Sequence, residues 1–499
     1  MNLRQHQEKA VQMLRDSIGR GKKHPLLAAP CSFGKTITAA AILESAVEKG
    51  KRGLFVCDRV KLVSQTIKEL EAHDLPFGVM QGNHELNDPN QPIQICSIQT
   101  LTRRRWQELE FDICIVDECH VHYETISKMM EMFNNVVFIG LSATPYARNL
   151  GRYYDDLILP ISTRQLLEQG DLAPIHYYGG KQPDLSSVGR KGIRTGGSDY
   201  HPEDLGHVYE NDKSLVGDII YNWLQHGENS QTIAFSPSIK HSKYLVEKFN
   251  LAGIPAAHID GYMDDEERQI LYSAHDAGEY KILSCSRLLN TGYDAPSVRC
   301  LIDCYPTHSK IVLQQRYGRI QRTFDGKEYA IVLDHASNVQ RHGFIEDIVP
   351  ESLDCGIHRF DERNQVKKEK KEAKPNLCPD CTRQFLGMKC ECGYEIPLHK
   401  ELVTDNQVLM KLDSSQVTPE VKKQWLGELY CYAYMRGKTS AWAHYKYKEK
   451  FGMPPAKGSG ATVSDTVSDE VSRFIKHSNI KYAKGKRKYE HRKYLESVG

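Results

Sequence analysis

Long apolar runs are missing from this 499-residue sequence, and none approaches the ~20 residues that a membrane-crossing helix requires. A membrane-spanning protein is therefore not expected. The first residues, Met1-Asn2-Leu3-Arg4-Gln5-His6, also lack the apolar stretch of a secretion signal, so the expected location is cytoplasmic. A dominant charge is missing too, because 66 basic and 64 acidic residues leave a formal net charge of +2. Whole-chain charge thus points to no polyanionic partner, and any such partner must be met by a local basic surface. Nothing suggests a disulfide frame. Most of the 14 cysteines stand singly in apolar runs, as Cys57, Cys96, Cys114, Cys285, Cys300 and Cys304 do. That is the pattern of small buried thiols in a reducing compartment. Only Cys378, Cys381, Cys390 and Cys392 cluster.

What is there is an alternation of strand-length apolar runs and helical patterns, in a chain long enough for two or three domains. Residues 1–165 show helical spacing over 5–18, a short buried strand at 25–29 and an Ala-rich helix over 35–48 stopped by Gly50. Further apolar runs follow at 53–57, 93–97, 113–117 and 136–141. Helical patterns between several of them predict a parallel sheet covered by helices. Residues 179–197 are polar and Gly-rich, which predicts a surface loop or insertion. The alternation resumes at 232–236, 256–259, 281–284, 300–304 and 329–333, predicting a second α/β lobe over 205–345. The fold class expected is α/β, with one parallel-sheet architecture used twice in tandem.

The chemistry gathers in three places. Ala29-Pro30-Cys31-Ser32-Phe33-Gly34-Lys35-Thr36 lies between an apolar run and a helix, where backbone N–H groups converge and the helix dipole favours anions. Pro30, Cys31, Ser32 and Phe33 would line such a phosphate loop. Gly34 permits close backbone approach, Lys35 offers a charge to the β and γ phosphates, and Thr36 can ligate Mg²⁺. Asp117-Glu118-Cys119-His120 ends another apolar run, at the ligand crevice of an open parallel sheet. Asp117 suits a metal ion, and Glu118 suits the activation of a water. Much later, Gln315, Arg319 and Arg322 share a face if their segment is helical, and an arginine supplied by a facing lobe can accelerate phosphoryl transfer ~10³–10⁵-fold. A phosphate loop, an acidic box and a distant arginine motif, in that order, imply two lobes closing on one ATP. His120 with Ser142 and Thr144 could couple the nucleotide to the other lobe.

This set resembles the superfamily 2 helicases over residues 1–345. Leu3-Arg4-Gln5-His6-Gln7 is similar to the adenine-reading Q motif, with Arg4 and Gln7 as its nucleotide-facing residues. Residues 55–65 resemble motif Ia, 97–101 motifs Ib/Ic, 232–241 motif IV and 289–296 motif V, which carries Asp294 near the nucleotide. The resemblance implies two RecA-like domains, ATP with Mg²⁺, and nucleic-acid contacts through Arg59, Gln65, Thr100, Ser236 and Thr291. Short hydroxyls, amides and one cation suit sugar–phosphate contacts that do not read sequence. Asp334-His335-Ala336-Ser337-Asn338 with Arg341-His342-Gly343, followed by the cysteine cluster, is similar to RadD-type and phage-encoded DNA helicases. This implies single-stranded or branched DNA as partner, with RNA open, in bacterial or phage-infected cytoplasm. Ala29, Cys31 and Phe33 depart from the usual phosphate-loop residues.

Cys378-Pro-Asp-Cys381 and Cys390-Glu-Cys392-Gly393 read as two knuckle-like turns able to close a structural Zn²⁺ site in a zinc-ribbon-like module over 376–398. The second pair has one intervening residue instead of two, so His399 is an alternative ligand and redox pairs remain open. Residues 400–455 read as a small helical domain, with Trp425, Tyr430, Tyr434, Trp442, Tyr445 and Tyr447 as its core. Residues 456–499 read as a basic, flexible tail. The competing class is a nucleic-acid-binding protein that uses ATP only as a conformational latch.

Overall fold

The computed structural model describes residues 3–180 apart from 59, 83 and 122; 185; 188–192; 198–286 apart from 211 and 212; 288, 293 and 295–356. It further describes 376–377, 384–385, 409–412, 419–451 and 454–478, with gaps at 456–460, 469, 470, 473 and 477. Arg59, Thr291, Asp294, the four clustered cysteines and His399 lie outside the described residues.

The first lobe is a seven-stranded sheet. Strands β1 (Pro25–Ala28), β2 (Gly53–Cys57), β3 (Phe77–Val79), β4 (Ile93–Ser97), β5 (Ile113–Val116), β6 (Val137–Ser142) and β7 (Asp156–Ile158) run parallel in the order β3-β4-β2-β5-β6-β1-β7. Strands covered on both faces read as continuous apolar runs, which is why five of them were visible as such. One face packs Leu27, Phe55, Ile95 and Ile115 against Leu14 and Leu43 of the helices Gln5–Gly19 and Lys35–Val47. The other packs Leu26, Leu54, Cys114 and Phe138 against Leu101, Ile126 and Met129. Each such buried side chain contributes ~1.5–3 kcal/mol. Because the strands are parallel, their C-terminal ends share one edge, and that edge carries Ala29, Ser97, Asp117 and Ser142.

The second lobe repeats the plan. It starts at β8 (Ile175–Gly179), which runs from residues that the sequence pattern left unassigned into the start of the expected loop. Residues 179–197 are not all loop, since β9 (Arg190–Gly192) pairs antiparallel with β10 (Ser198–Tyr200). Then come β11 (Thr232–Phe235), β12 (Ala256–Ile259), β13 (Ile282–Cys285), β14 (Cys300–Asp303) and β15 (Ala330–Asp334). A short antiparallel pair, β16 (Asn376–Leu377) and β17 (Gln384–Phe385), stands apart. Finally β18 (Met410–Leu412) joins the second sheet antiparallel to β8, in the order β12-β13-β11-β14-β15-β8-β18. Its two faces are packed by Tyr177, Ile233 and Leu301 on one side and by Trp223, Ala234 and Ile302 on the other. The single cysteines behave as expected, and burial pushes the Cys96 and Cys300 thiols up to about 12.

Two of the described segments cross between the lobes. Residues 159–174 lead out of the first lobe through the helix Thr163–Glu168. Residues 345–356 return to it, where the Tyr146 hydroxyl donates to the Ile348 carbonyl at 3.3 Å and Gly151 N to the Asp354 carbonyl at 2.8 Å. Arg152 Nε adds a bond to the Cys355 carbonyl at 3.1 Å. Asp347 ties the crossings together, taking Arg164 and Lys422 at 2.5 Å each. Lys422 belongs to the helix Pro419–Met435, which packs on Ser440–Phe451 through Trp425, Leu429, Ala443 and Tyr447. Two expectations for this region need correction. Tyr434 and Tyr445 are exposed rather than core residues. Val471 and Ile475, placed in the flexible tail, are buried in this helical domain, because their four-residue spacing puts both on its apolar face.

Candidate nucleotide site between the lobes

The phosphate loop is built from its backbone outward. Ala29 N donates to the Ser142 carbonyl at 2.9 Å, fixing the loop's start to β6, and Phe33 N donates to the Pro30 carbonyl at 3.2 Å. Gly34 caps the following helix at φ 87°, the left-handed region that glycine enters without steric cost. Phe33 is 1% exposed and anchors the loop in the core, with its carbonyl accepting from Gln7 Nε2 at 3.0 Å. Gln7 Oε1 in turn accepts from Arg4 N at 2.9 Å, and the Arg4 guanidinium pairs with Asp171 at 2.9 Å. Gln7 therefore braces the loop from behind. A cavity of about 400 Å³ opens on the other side, lined by Arg4, Ser32, Lys35, Thr36, Asp171 and Arg322.

Opposite Lys35 stand the two carboxylates. Glu118 takes a left-handed backbone, φ 47°, and its N–H is bonded by Asp117 Oδ1 at 2.9 Å. Such a turn, costly for a residue with a side chain, is a mark of functional sites. Burial and the adjacent Glu118 push the Asp117 carboxyl up to about 6. Burial would raise Glu118 as well, but Lys35 and His120 outweigh it and hold the group well below the carboxylate range. For Lys35 burial opposes the charge, yet Glu118, Cys31 and Asp117 keep its ammonium above the ordinary value.

This donor set fits a divalent cation. Asp117 is a carboxylate short of positive charge, and Ser32 Oγ is buried without a hydrogen-bond partner among the described residues. Thr36 and Asp117 would hold Mg²⁺, which when bound neutralises phosphate charge.

His120 links the acidic box outward. Its Nδ1 is 3.0 Å from Ser142 Oγ and 3.2 Å from Glu118 Oε2, an ion pair only when the ring is protonated. Ser142 Oγ also accepts from Thr144 N at 3.0 Å. Across the cleft, His120 Nε2 lies 3.5 Å from Gln315 Nε2. One imidazole thus touches the acidic box, the Ser142–Thr144 segment and the second lobe.

The arginines arrive differently from expectation. The helix Lys310–Tyr317 ends before Arg319, so Arg319 and Arg322 lie on the turn beyond it and not on one helical face. Arg322 bridges to Leu172 and lines the nucleotide cavity, while Arg319 donates to the Tyr293 carbonyl at 2.7 Å and lies within the field of Glu118. Gly318 makes the close fit possible, since a Cβ there would come 2.7 Å from Cys31 Sγ. The second lobe therefore completes a site begun by the first.

The proposed nucleic-acid residues are less uniform. Gln65 is exposed on the helix Val60–Glu71. Thr100 is half-buried, its hydroxyl 3.0 Å from Ser97 Oγ in a helix cap. Ser236 is fully buried, with its hydroxyl toward Ser284 at 3.4 Å, so its side chain does not face a strand. Among the described residues no group of three or more His, Cys, Asp or Glu could hold a metal ion. Sequence reasoning missed Asp171 and the Tyr293 carbonyl. The first is an isolated acid outside any motif, and the second acts through backbone that carries no side-chain signal.

Comparison with known proteins agrees with this geometry. Residues 1–147 match the family described as type III restriction enzyme, res subunit, and residues 214–324 match the helicase conserved C-terminal domain. A 51.5 kDa protein of a Lactococcus phage is 25% identical over 420 residues, covering 80% of this chain and 87% of that protein. The putative mitochondrial ATP-dependent helicase irc3 of Schizosaccharomyces pombe is 24% identical, covering 68% of this chain, which spans only 58% of its length. The ATP-dependent DNA helicase uvsW of phage T4 is 22% identical over 257 residues, 49% of each chain. In fold, the fragment structure of a putative HsdR subunit of a type I restriction enzyme from Vibrio vulnificus superposes with a TM-score of 0.52 at 20% identity, covering 70% of this chain and 66% of that one. With both matched domains in order and their motif residues gathered on one cleft, the chain carries the two domains of a superfamily 2 helicase and is an ATP-hydrolysing helicase enzyme.

Proposed function

We propose that this helicase works on DNA, coupling ATP hydrolysis to movement along, or opening of, single-stranded or branched DNA without sequence preference, in replication, recombination or repair. The observation that carries the reading is the composite cleft, in which Arg319 and Arg322 of one lobe reach the phosphate loop and Glu118 of the other. In this reading Lys35 and the loop N–H groups cradle the phosphates and Arg322 meets the charge developing on the γ oxygens. Glu118, kept ionised, accepts the proton of the attacking water, and Gln315 positions it. His120 relays the result to Ser142, Thr144 and the second lobe. Opening a base-pair step costs ~1.4 kcal/mol on average, within reach of small ATP-coupled steps.

DNA is favoured by the relatives, which include a phage T4 DNA helicase and a type I restriction enzyme subunit of Escherichia coli. RNA is the second reading, supported by a 26% identical match to the ATP-dependent RNA helicase HAS1 of Candida glabrata over 24% of this chain. ATP turnover measured with single-stranded, duplex and forked DNA and with RNA, at one stated salt concentration, separates them. Greater stimulation by RNA than by any DNA would reverse the assignment. Indifference to all four would favour the latch. Gln65 and Thr100 are assigned to the strand, together with Arg59 and Thr291. Cys378, Cys381, Cys390 and Cys392 are assigned to one structural Zn²⁺, which metal analysis of the purified protein tests. The proposed location is the cytoplasm, and no described helix is long and apolar enough to cross a membrane.

A further inference from the structure

Cys31, one of the departures in the phosphate loop, sits where the two lobes meet. Its Sγ lies 3.8 Å from the Gln314 carbonyl and packs against Gly318, next to the arginine turn. Among the described cysteines only Cys31 and Cys355 are not buried.

The thiol borders a second cavity, separate from the nucleotide cavity and about 310 Å³ in volume, within the size range of small-molecule sites. Its walls come from both lobes, with Pro30, Tyr146 and Ile161 on one side and Gln321 and Ile345 on the other. Gln321 is 2% exposed, and its Nε2 has no hydrogen-bond partner among the described residues. An unmade hydrogen bond at a buried amide costs ~1–3 kcal/mol, so this wall lacks an acceptor that a ligand can supply. The charged residue on the cavity's lining is Lys9, a cation.

We propose that Cys31 is a reversible thiol-modification site, at which a small anionic disulfide of the oxidised-glutathione class forms an adduct that fills this cavity and stops ATP turnover. The Cys31 sulfur attacks one sulfur of the disulfide, and the new S–S bond forms as the old one breaks. The displaced thiolate takes the proton that Cys31 gives up, leaving one mixed disulfide and one free thiol. The adduct's carbonyl and carboxylate oxygens supply the acceptor that Gln321 lacks and the negative charge that Lys9 favours. Turnover stops because the adduct occupies the contact between the phosphate loop and Gly318, displacing the arginine turn. A shift of ~1 Å at a reacting centre can cost ~10²-fold in rate. The proposal needs only the ATPase activity, not a choice between DNA and RNA.

The test exposes the full-length protein to oxidised glutathione, locates adducts by peptide mass spectrometry, and reads ATP turnover before and after dithiothreitol. The expected result is an adduct on Cys31 whose occupancy tracks the activity lost, at least tenfold at full occupancy, with recovery on reduction. Because other cysteines can react, Cys31→Ser is treated in parallel and read as its own treated-to-untreated ratio. A ratio near one supports the assignment, and a loss equal to that of the unsubstituted protein overturns it. If Cys31→Ser turns over too slowly to read, occupancy against activity in the unsubstituted protein decides. Full modification of Cys31 in an active enzyme, or an unmodified Cys31 in an inhibited one, rejects the proposal.

Discussion

Arg316 stands three residues before Arg319 in the same motif, yet its surroundings give it a different task. Its guanidinium is 1% exposed, 3.1 Å from Asp303 Oδ1 and 2.8 Å from the Tyr305 carbonyl. The rings of Phe235 and Tyr305 flank it at 5.1 and 4.6 Å. Asp303 also accepts from the Tyr317 hydroxyl at 3.1 Å and from Asn338 Nδ2 at 2.8 Å. Removing the arginine strands this carboxylate in the core beside Asp334, whose own carboxyl burial and Asp303 push up to about 7. Breaking one side of a buried pair costs ~3–5 kcal/mol, a large share of the ~5–15 kcal/mol that holds a domain together. Arg316→Met is therefore expected to destabilise the second lobe by ~3–5 kcal/mol, measured by urea titration with pulse proteolysis. Adding Asp303→Asn should recover ~1 kcal/mol or more, because the stranded charge is gone. Arg322→Ala should do the opposite, leaving stability within ~1 kcal/mol while turnover falls ~10³–10⁵-fold. A cost below ~1 kcal/mol for Arg316→Met would refute the reasoning, as would unchanged turnover in folded Arg322→Ala.

Glu118→Gln keeps the shape of the carboxylate but cannot take a proton, so turnover should fall ~10²–10⁴-fold while a fluorescent ATP analogue still binds; loss of binding instead would assign Glu118 to the ligand. Asp117 has a carboxyl raised to about 6, so its ionisation opposes folding above that pH and not below its unfolded value. Asp117→Asn should accordingly stabilise the nucleotide-free protein at pH 7.5 by up to ~3 kcal/mol, less at pH 5, while abolishing hydrolysis. Thermal unfolding at the two pH values reads this, and a gain that grows on acidification would contradict it. Gly318→Ala places a methyl 2.7 Å from Cys31 Cβ and Sγ, and steady-state ATP turnover should drop at least ~10-fold with the fold retained by circular dichroism.

Much of the first lobe was legible because parallel strands buried on both faces must be apolar throughout, as Leu54–Cys57 and Ile113–Val116 are. The site was legible because phosphate, metal and water activation each demand particular side chains at fixed strand ends. β8 was not, since Ile175-His176-Tyr177-Tyr178-Gly179 alternates buried and half-buried positions and carries no aliphatic run. β18 is an edge strand of three residues, two of them exposed, and is too short to stand out as a run. Spacing could not separate Arg316 from Arg319 and Arg322, because burial, not sequence interval, decides which guanidinium faces a core carboxylate and which faces the cleft. Ser236 matched its motif, but the strand ending there turns the hydroxyl inward. The narrower likeness to RadD-type helicases rests on residues 334–343 and the cysteine cluster alone.

The two crossings joined at Asp347 have a mechanical result. A pair of plates strung on one cord can swing, slide and twist; with a second cord pinned to the first, it keeps mainly the swing. Chemical energy released in the gap then has few directions in which to be lost, and a stroke of opening and closing is repeated with the same geometry at every cycle. Cutting the chain between 348 and 354 would leave both plates attached and the stroke slack.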